Sequence, residues 1–225
     1  MASFHHQKLC WVIYIIFFYG FVYVIPYSGE NFFLLGFLQS GDLQYLPDLD
    51  KDNLICRDFY SPFEECDRKS LKALERRLTG SYAEYRRSYK PGHLHAGIDL
   101  KGAFDETIYA IGCGQVHLIF REFPHRSVVL KHLLPDGSLL YSVYTHVQDI
   151  RVRVGQLVNK DTPLARLFNK IELTQANFGT ANHLHLEIRK SFADRGRASY
   201  SSMTLDDLNT FCEDPLEFFK GYLRE

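Results

Sequence analysis

No sign of charge dominates this sequence: 26 Lys and Arg stand against 27 Asp and Glu, a formal charge of -1 over 225 residues. The basic excess that neutralises phosphates is missing, so a nucleic-acid partner is not expected. No internal repeat and no low-complexity tract interrupt the chain, and an apolar fraction of 46% excludes a disordered or collagen-like polymer. At about 100 to 200 residues per domain, there is room for one main core and an accessory segment. No Cys-x-x-Cys pair occurs among the 5 cysteines, which removes a zinc ribbon. Cys10 lies in an apolar run. Cys56, Cys66, Cys113 and Cys212 permit any of three pairings, of which Cys56 with Cys66 closes the shortest loop, or remain free buried thiols.

Charge is also missing locally. From Leu9 to Gly29, 21 residues pass without an Asp, Glu, Lys or Arg. Within them Leu9–Ile25 is densely apolar, and as a helix rising about 1.5 Å per residue it would reach about 26 Å, the short end of a membrane span. Val24-Ile25-Pro26-Tyr27-Ser28-Gly29 offers no clean pair of small residues for cleavage. Residues 1–29 are therefore expected to be an uncleaved transmembrane anchor, with a removed signal segment and secretion as the alternative. Lys8 precedes the run, and Glu30, Asp42, Asp48 and Asp50 follow it. That places the bulk of the chain outside the cytoplasm, on the periplasmic side of the cell membrane.

Residues 30–90 read as a membrane-proximal region, where Leu71, Leu74 and Leu78 predict an amphipathic helix from about Glu64 to Arg77, ended by Gly80. From Ile98 the texture is mainly β, with strands expected over Thr107–Ile111, Gln115–Phe120, Ser127–Leu133, Leu139–Thr145, Pro163–Leu167 and Leu184–Arg189. Leu134-Pro135-Asp136-Gly137-Ser138 marks a hairpin, since Pro presets one dihedral and Gly supplies a positive one. Turn signals at this spacing fit an antiparallel sandwich or barrel-like domain over residues 91–225.

Eight of the 10 histidines fall between His93 and His185. His117, His125 and His132, taken singly, are ordinary half-buried strand residues. His183-Leu184-His185 is different, because alternate side chains on a strand share a face and put the two imidazoles about 6.6 Å apart at the backbone. In His95-Ala96-Gly97-Ile98-Asp99 an imidazole and a carboxylate would be about 13 Å apart on a straight strand. Gly97 permits a bend that brings them together as ligands zinc accepts. With one imidazole of the later pair this makes three protein ligands, leaving a fourth position for water as in a catalytic zinc site.

These stretches resemble the lysostaphin-type (LytM-type) zinc endopeptidases, which cut peptide bonds in bacterial peptidoglycan. His95 to Asp99 is similar to that family's His-x-x-x-Asp motif, Tyr144-Thr145-His146 to its Tyr-Ala-His element, and His183-Leu184-His185-Leu186-Glu187 to its His-Leu-His-Phe-Glu strand. Ala110 to Val116, Val154 to Val158 and Asp214-Pro215 match further elements in order. The resemblance implies a duplicated hybrid motif fold, one Zn2+ per chain on His95, Asp99 and His185, and His146 and His183 as the unligated catalytic pair. It implies peptidoglycan peptides as substrate, with any wall-synthesis or division partner unspecified. His93 is expected to be a bystander. Glu187 is either a support for an imidazole or an exposed acid, and Tyr144 either core or groove wall. Three departures bear on groove shape: Arg121–Ser127 lacks a Gly-Asn element, Asp161 replaces a glycine, and Asn182 precedes the His pair. The stretch from Lys190 to Cys212 is long enough to cover one end of the groove. Two rivals remain: a non-catalytic scaffold that binds the wall or activates a separate amidase, and a thiol hydrolase using Cys113, which sits between two glycines with nothing to activate it.

Overall fold

In the computed structural model, residues 15–18, 21–24, 55–65, 67–86, 93–177, 181–191 and 204–225 are described. The chain divides into two compact units, Met1–Leu46 and Pro47–Glu225. In the first, Ile15–Phe18 (β1) and Phe21–Val24 (β2) pair antiparallel, Ile15 opposite Val24 and Phe18 opposite Phe21. A helix was expected over Leu9–Ile25, and these residues form strands instead. Every one of the eight is β-branched or aromatic, the types that suit a pleated ladder. The rest of the run lies outside the described residues. No helix among the described residues is long and apolar enough to cross a membrane.

The second unit opens with helix Leu71–Glu75 (α1) and continues through strands Leu78–Gly80 (β3), Tyr85–Arg86 (β4), His93–Leu94 (β5), Ile98–Lys101 (β6), Thr107–Tyr109 (β7) and Gly114–Phe120 (β8). Strands Ser127–Leu133 (β9), Leu139–Thr145 (β10), Leu157–Val158 (β11) and Pro163–Arg166 (β12) follow. Helix Lys170–Ala176 (α2), strand His183–Arg189 (β13), helix Leu205–Phe211 (α3), strand Cys212–Glu213 (β14) and helix Pro215–Lys220 (α4) complete it. An 8-stranded antiparallel sheet runs β11-β8-β9-β10-β13-β6-β3, with β14 also paired to β13. A separate ladder joins β7 to β12, and β4 pairs with β5. Leu100, Val128, Leu130, Leu184, Leu186 and Ile188 of the large sheet share one core with Ile108 and Leu164 of the smaller ladder and with Ala110 and Leu167 just beyond it. Alternation along β13 is what divides it: Leu184, Leu186 and Ile188 enter the core, leaving His183, His185 and Glu187 on the opposite face.

The helix expected over Glu64–Arg77 is only α1. Ser70 caps it by accepting from the Ala73 amide. Ahead of that cap, Arg68 holds the chain as a loop by donating to the Ser61 and Ala110 carbonyls at 2.7 and 3.0 Å. Leu71 and Leu74 are buried as the periodicity requires, but Leu78 and Gly80 belong to β3, whose backbone pairs with β6. Cys56, Phe59 and Phe63 enter the main core. Cys56, Cys113 and Cys212 are free thiols, and Cys66 lies outside the described residues. Of the C-terminal stretch, α3 and β14 pack Leu208 and Cys212 against Ala96, bracing the chain beside His95.

Candidate metal centre

β13 lies between β10 and β6, which puts His185 directly opposite Asp99 on one side and Thr145 on the other. His95 arrives by a bend. Its backbone N–H donates to the Glu84 carbonyl at 2.9 Å and its carbonyl accepts from the Ala83 amide at 2.8 Å, fixing the residue outside any strand. A Cβ at Gly97 would strike the Leu186 carbonyl, so only glycine lets this bend lie against β13. The result brings His95 Nε2 within 3.1 Å of Asp99 Oδ1.

The outer partners of the two imidazoles decide where their protons sit. His95 Nδ1 lies 2.7 Å from the Ser81 carbonyl, to which it can only donate. His185 Nε2 lies 2.7 Å from Glu187 Oε1 and donates to that carboxylate. Each ring is left with a lone pair pointing inward, at His95 Nε2 and His185 Nδ1. These two nitrogens are 2.9 Å apart, and His185 Nδ1 is 3.1 Å from Asp99 Oδ1. Two lone pairs and a carboxylate oxygen at such distances repel one another unless a proton or a metal cation stands between them. The edges approach the roughly 3.3 Å ligand separation of a tetrahedral metal with bonds of about 2.0 to 2.1 Å. Among the described residues, His95, Asp99 and His185 form the group able to hold a metal ion. All three are buried. Burial would raise the Asp99 carboxyl, but hydrogen bonds to His185 and His95 outweigh it and hold Asp99 well below the usual carboxylate range. For His185 burial acts downward, and the bonds to Asp99 and Glu187 overcome it, pushing the imidazole up to about 9. Both directions mark a site that asks for positive charge.

His183 and His146 open onto the same space. His183 Nε2 is 4.0 Å from Asp99 Oδ1, while its Nδ1 donates to the Ala181 carbonyl at 2.8 Å. His146 follows β10 in the left-handed conformation, φ 68, which turns its ring toward His183 with centroids 5.0 Å apart. Its Nδ1 is 3.3 Å from the Pro124 carbonyl. Burial lowers both imidazoles, His146 well below the ordinary value with the neighbouring His183 adding to the effect. Both are therefore neutral near pH 7.

Residues 93–199 match the profile of Peptidase family M23. The chain carries a Peptidase family M23 domain. No curated protein matches it. Among solved structures, the catalytic domain of lysostaphin, an antimicrobial peptidase from Staphylococcus simulans, is similar at 21% identity and TM-score 0.48, covering 68% of this chain and 98% of that one. LytU is similar at 25% identity and TM-score 0.44, covering 72% of this chain and 92% of that one. A zinc-containing peptidase from Vibrio cholerae is similar at 22% identity and TM-score 0.42, covering 59% of this chain but 37% of its own.

The M23 domain brings together all five polar residues singled out from the sequence, and it also assigns places to those left open. Glu187 is fully buried, clamped between His185 and Arg189, whose Nε donates to Oε2 at 2.7 Å. Tyr144 is core: its hydroxyl accepts from the Ile111 amide and from Ser142. His93 is buried but contributes no atom to the three-ligand cluster. Cys113 offers its carbonyl to His132, and its thiol hydrogen-bonds with that of Cys56. Asn182 ties two loops by donating to the Ala103 and Phe168 carbonyls. Sequence reasoning set His125 aside as an ordinary half-buried strand residue, yet it lies in the loop between β8 and β9 with its ring 5.4 Å from that of His146. That reasoning passed over Phe123, which packs on Phe168 beside the same imidazole. Both come from Arg121–Ser127, the stretch whose departure from the family pattern was the available signal.

Proposed function

We propose that this chain is a zinc-dependent endopeptidase that hydrolyses peptide bonds in peptidoglycan stem or cross-link peptides. The observation that carries the reading is the convergence of two imidazole lone pairs and a carboxylate oxygen within 3.1 Å, faced by two more neutral imidazoles. In this reading His95, Asp99 and His185 hold one zinc ion per chain; the donor set is one that zinc accepts, and three ligands leave a position open. When bound, zinc supplies the Lewis acidity that makes water nucleophilic near neutral pH. The proton work falls to His183 and His146. Each keeps its Nδ1 proton on a backbone carbonyl, so Nε2 of either can accept the proton lost by the attacking water. The imidazolium so formed donates in turn to the leaving amine. Placement outside the cytoplasm, where such substrates lie, rests on the apolar run Leu9–Ile25 and the charges flanking it.

Membership of a peptidase family supports hydrolysis of peptide bonds, and digestion of purified sacculi tests the substrate. Soluble fragments with new amino and carboxyl ends in their peptides are expected, and a chelator should abolish their release. Cut glycan strands with every peptide intact would sink the endopeptidase reading. Binding to sacculi with no cleavage at all would leave the scaffold in its place.

A further inference from the structure

Arg86 ends β4, and its side chain crosses Gly80 to reach the metal cluster. Its Nη2 donates to Asp99 Oδ2 at 2.6 Å, while Oδ1 of the same carboxylate faces His95 Nε2 and His185 Nδ1 at 3.1 Å each. The two oxygens of Asp99 are thus divided between an arginine and the ligand cluster. A Cβ at Gly80 would collide with both the Arg86 guanidinium and the Asp99 carboxylate, so the absence of a side chain there is what admits the contact. The guanidinium lies beside the His95 ring, 3.1 and 3.4 Å from its nitrogens. Glu84 Oε2, at 3.4 Å, partly balances its charge. Arg86 is registered opposite His93 on β5, so the hairpin that carries His95 toward the cluster also carries this donor.

We infer that Arg86 is a positioning residue that holds Oδ2 of Asp99, so that the carboxylate meets the metal through Oδ1 alone. The inference rests on the zinc reading above. Carboxylates bind metals through one oxygen or through both, and a second oxygen would add a fifth ligand beside the water that a three-ligand site admits. A charge-assisted hydrogen bond at this distance is among the stronger ones, and an oxygen committed to it is a poorer ligand. Lysine offers the charge but not the planar, fixed donor geometry of arginine.

The test uses the full chain loaded with Co2+ in place of zinc, comparing wild type with Arg86→Met and Arg86→Lys. Cobalt affinity is read by competition with a chromogenic chelator, and coordination number by the intensity of the visible absorption. Arg86→Met should bind about 10- to 100-fold more weakly, the usual effect of removing a group that supports a ligand. Its absorption should weaken as a fifth ligand enters, and Arg86→Lys should recover much of both. Unchanged affinity and spectrum, or tighter binding, in a folded Arg86→Met overturns the inference. Should that variant fail to fold, Arg86→Gln carries the same comparison. A wild type that binds neither cobalt nor zinc sinks the metal-site reading and this inference together, whereas the Arg86 outcomes decide the inference alone.

Discussion

His183 and His185 stand two residues apart on one face of one strand, yet their outer contacts separate their chemistry. Glu187 takes the Nε2 proton of His185 and leaves Nδ1 for the cluster, while the Ala181 carbonyl takes the Nδ1 proton of His183 and leaves Nε2 for proton transfer. Removing His185 should therefore strip the site to two protein ligands, so His185→Ala should lose bound zinc and activity together. His146→Ala deletes an imidazole whose Nδ1 is tied to the Pro124 carbonyl and which contributes no ligand atom. It should keep about one zinc per chain while hydrolysis falls about 100-fold or more. Metal content by emission spectroscopy beside a peptide-release assay reads both. Zinc retained by both variants would show the ligand set to be wrongly assigned.

At the scale of elements, β9 and β10 fall where the sequence predicts them, because apolar runs flank a turn whose Gly137 takes a positive φ of 83. α2 went unread although Asn169 and Glu172 form a reciprocal capping box at its start, because only Leu173 and Ala176 of its residues are buried and the apolar signal is thin. His132 links three of the strands: its ring bonds the Cys113 carbonyl just before β8 at 2.6 Å and Ser142 on β10 at 2.8 Å. Burial pushes this imidazole down to about 4, against 6.5 when unfolded. Above about pH 6.5 both states are neutral and the contribution is complete; below it the unfolded chain takes up the proton first. Stability should then decline between about pH 6.5 and 4, by at most about 3 kcal/mol from this residue. Urea unfolding in the presence of chelator at pH 7.5, 6 and 4.5 should find His132→Gln less stable than wild type at pH 7.5, with the gap closing toward pH 4.5. A gap that stays constant would mean that this proton is not linked to folding.

For the whole molecule, the metal ligands are ties between distant parts of the chain. Asp99 and His185 are 86 residues apart in sequence and meet because β6 and β13 are neighbours, while α3 and β14 brace that junction from behind. A metal bound to the native state and not to the unfolded chain stabilises by about 4 kcal/mol at a thousandfold excess over its dissociation constant. For a unit of this size that is a shift of about 10 °C. Thermal unfolding should accordingly drop by that order when chelator is added to wild type and barely move for His185→Ala. An equal response of the two proteins would place the stabilising metal elsewhere.

Residue types and local spacing were enough to determine the β texture and the main hairpin and to single out His95, Asp99 and the His183–His185 pair, whereas His146 came only from the family resemblance. Alternation already puts His183 and His185 on one face, and Gly97 already allows the bend that His95 and Asp99 need. Tertiary structure alone decided the rest. The length of α1 depends on β6 claiming the backbone of β3, a contact no local pattern encodes. The proton positions of His95 and His185 depend on the Ser81 carbonyl and on a Glu187 buried against Arg189. Arg86 carries no signal in the sequence, because only the fold sets it across Gly80 from Asp99. The physical reason is common to all three: hydrogen-bond partners are chosen by proximity in space, and sequence periodicity reports only the face on which a residue lies.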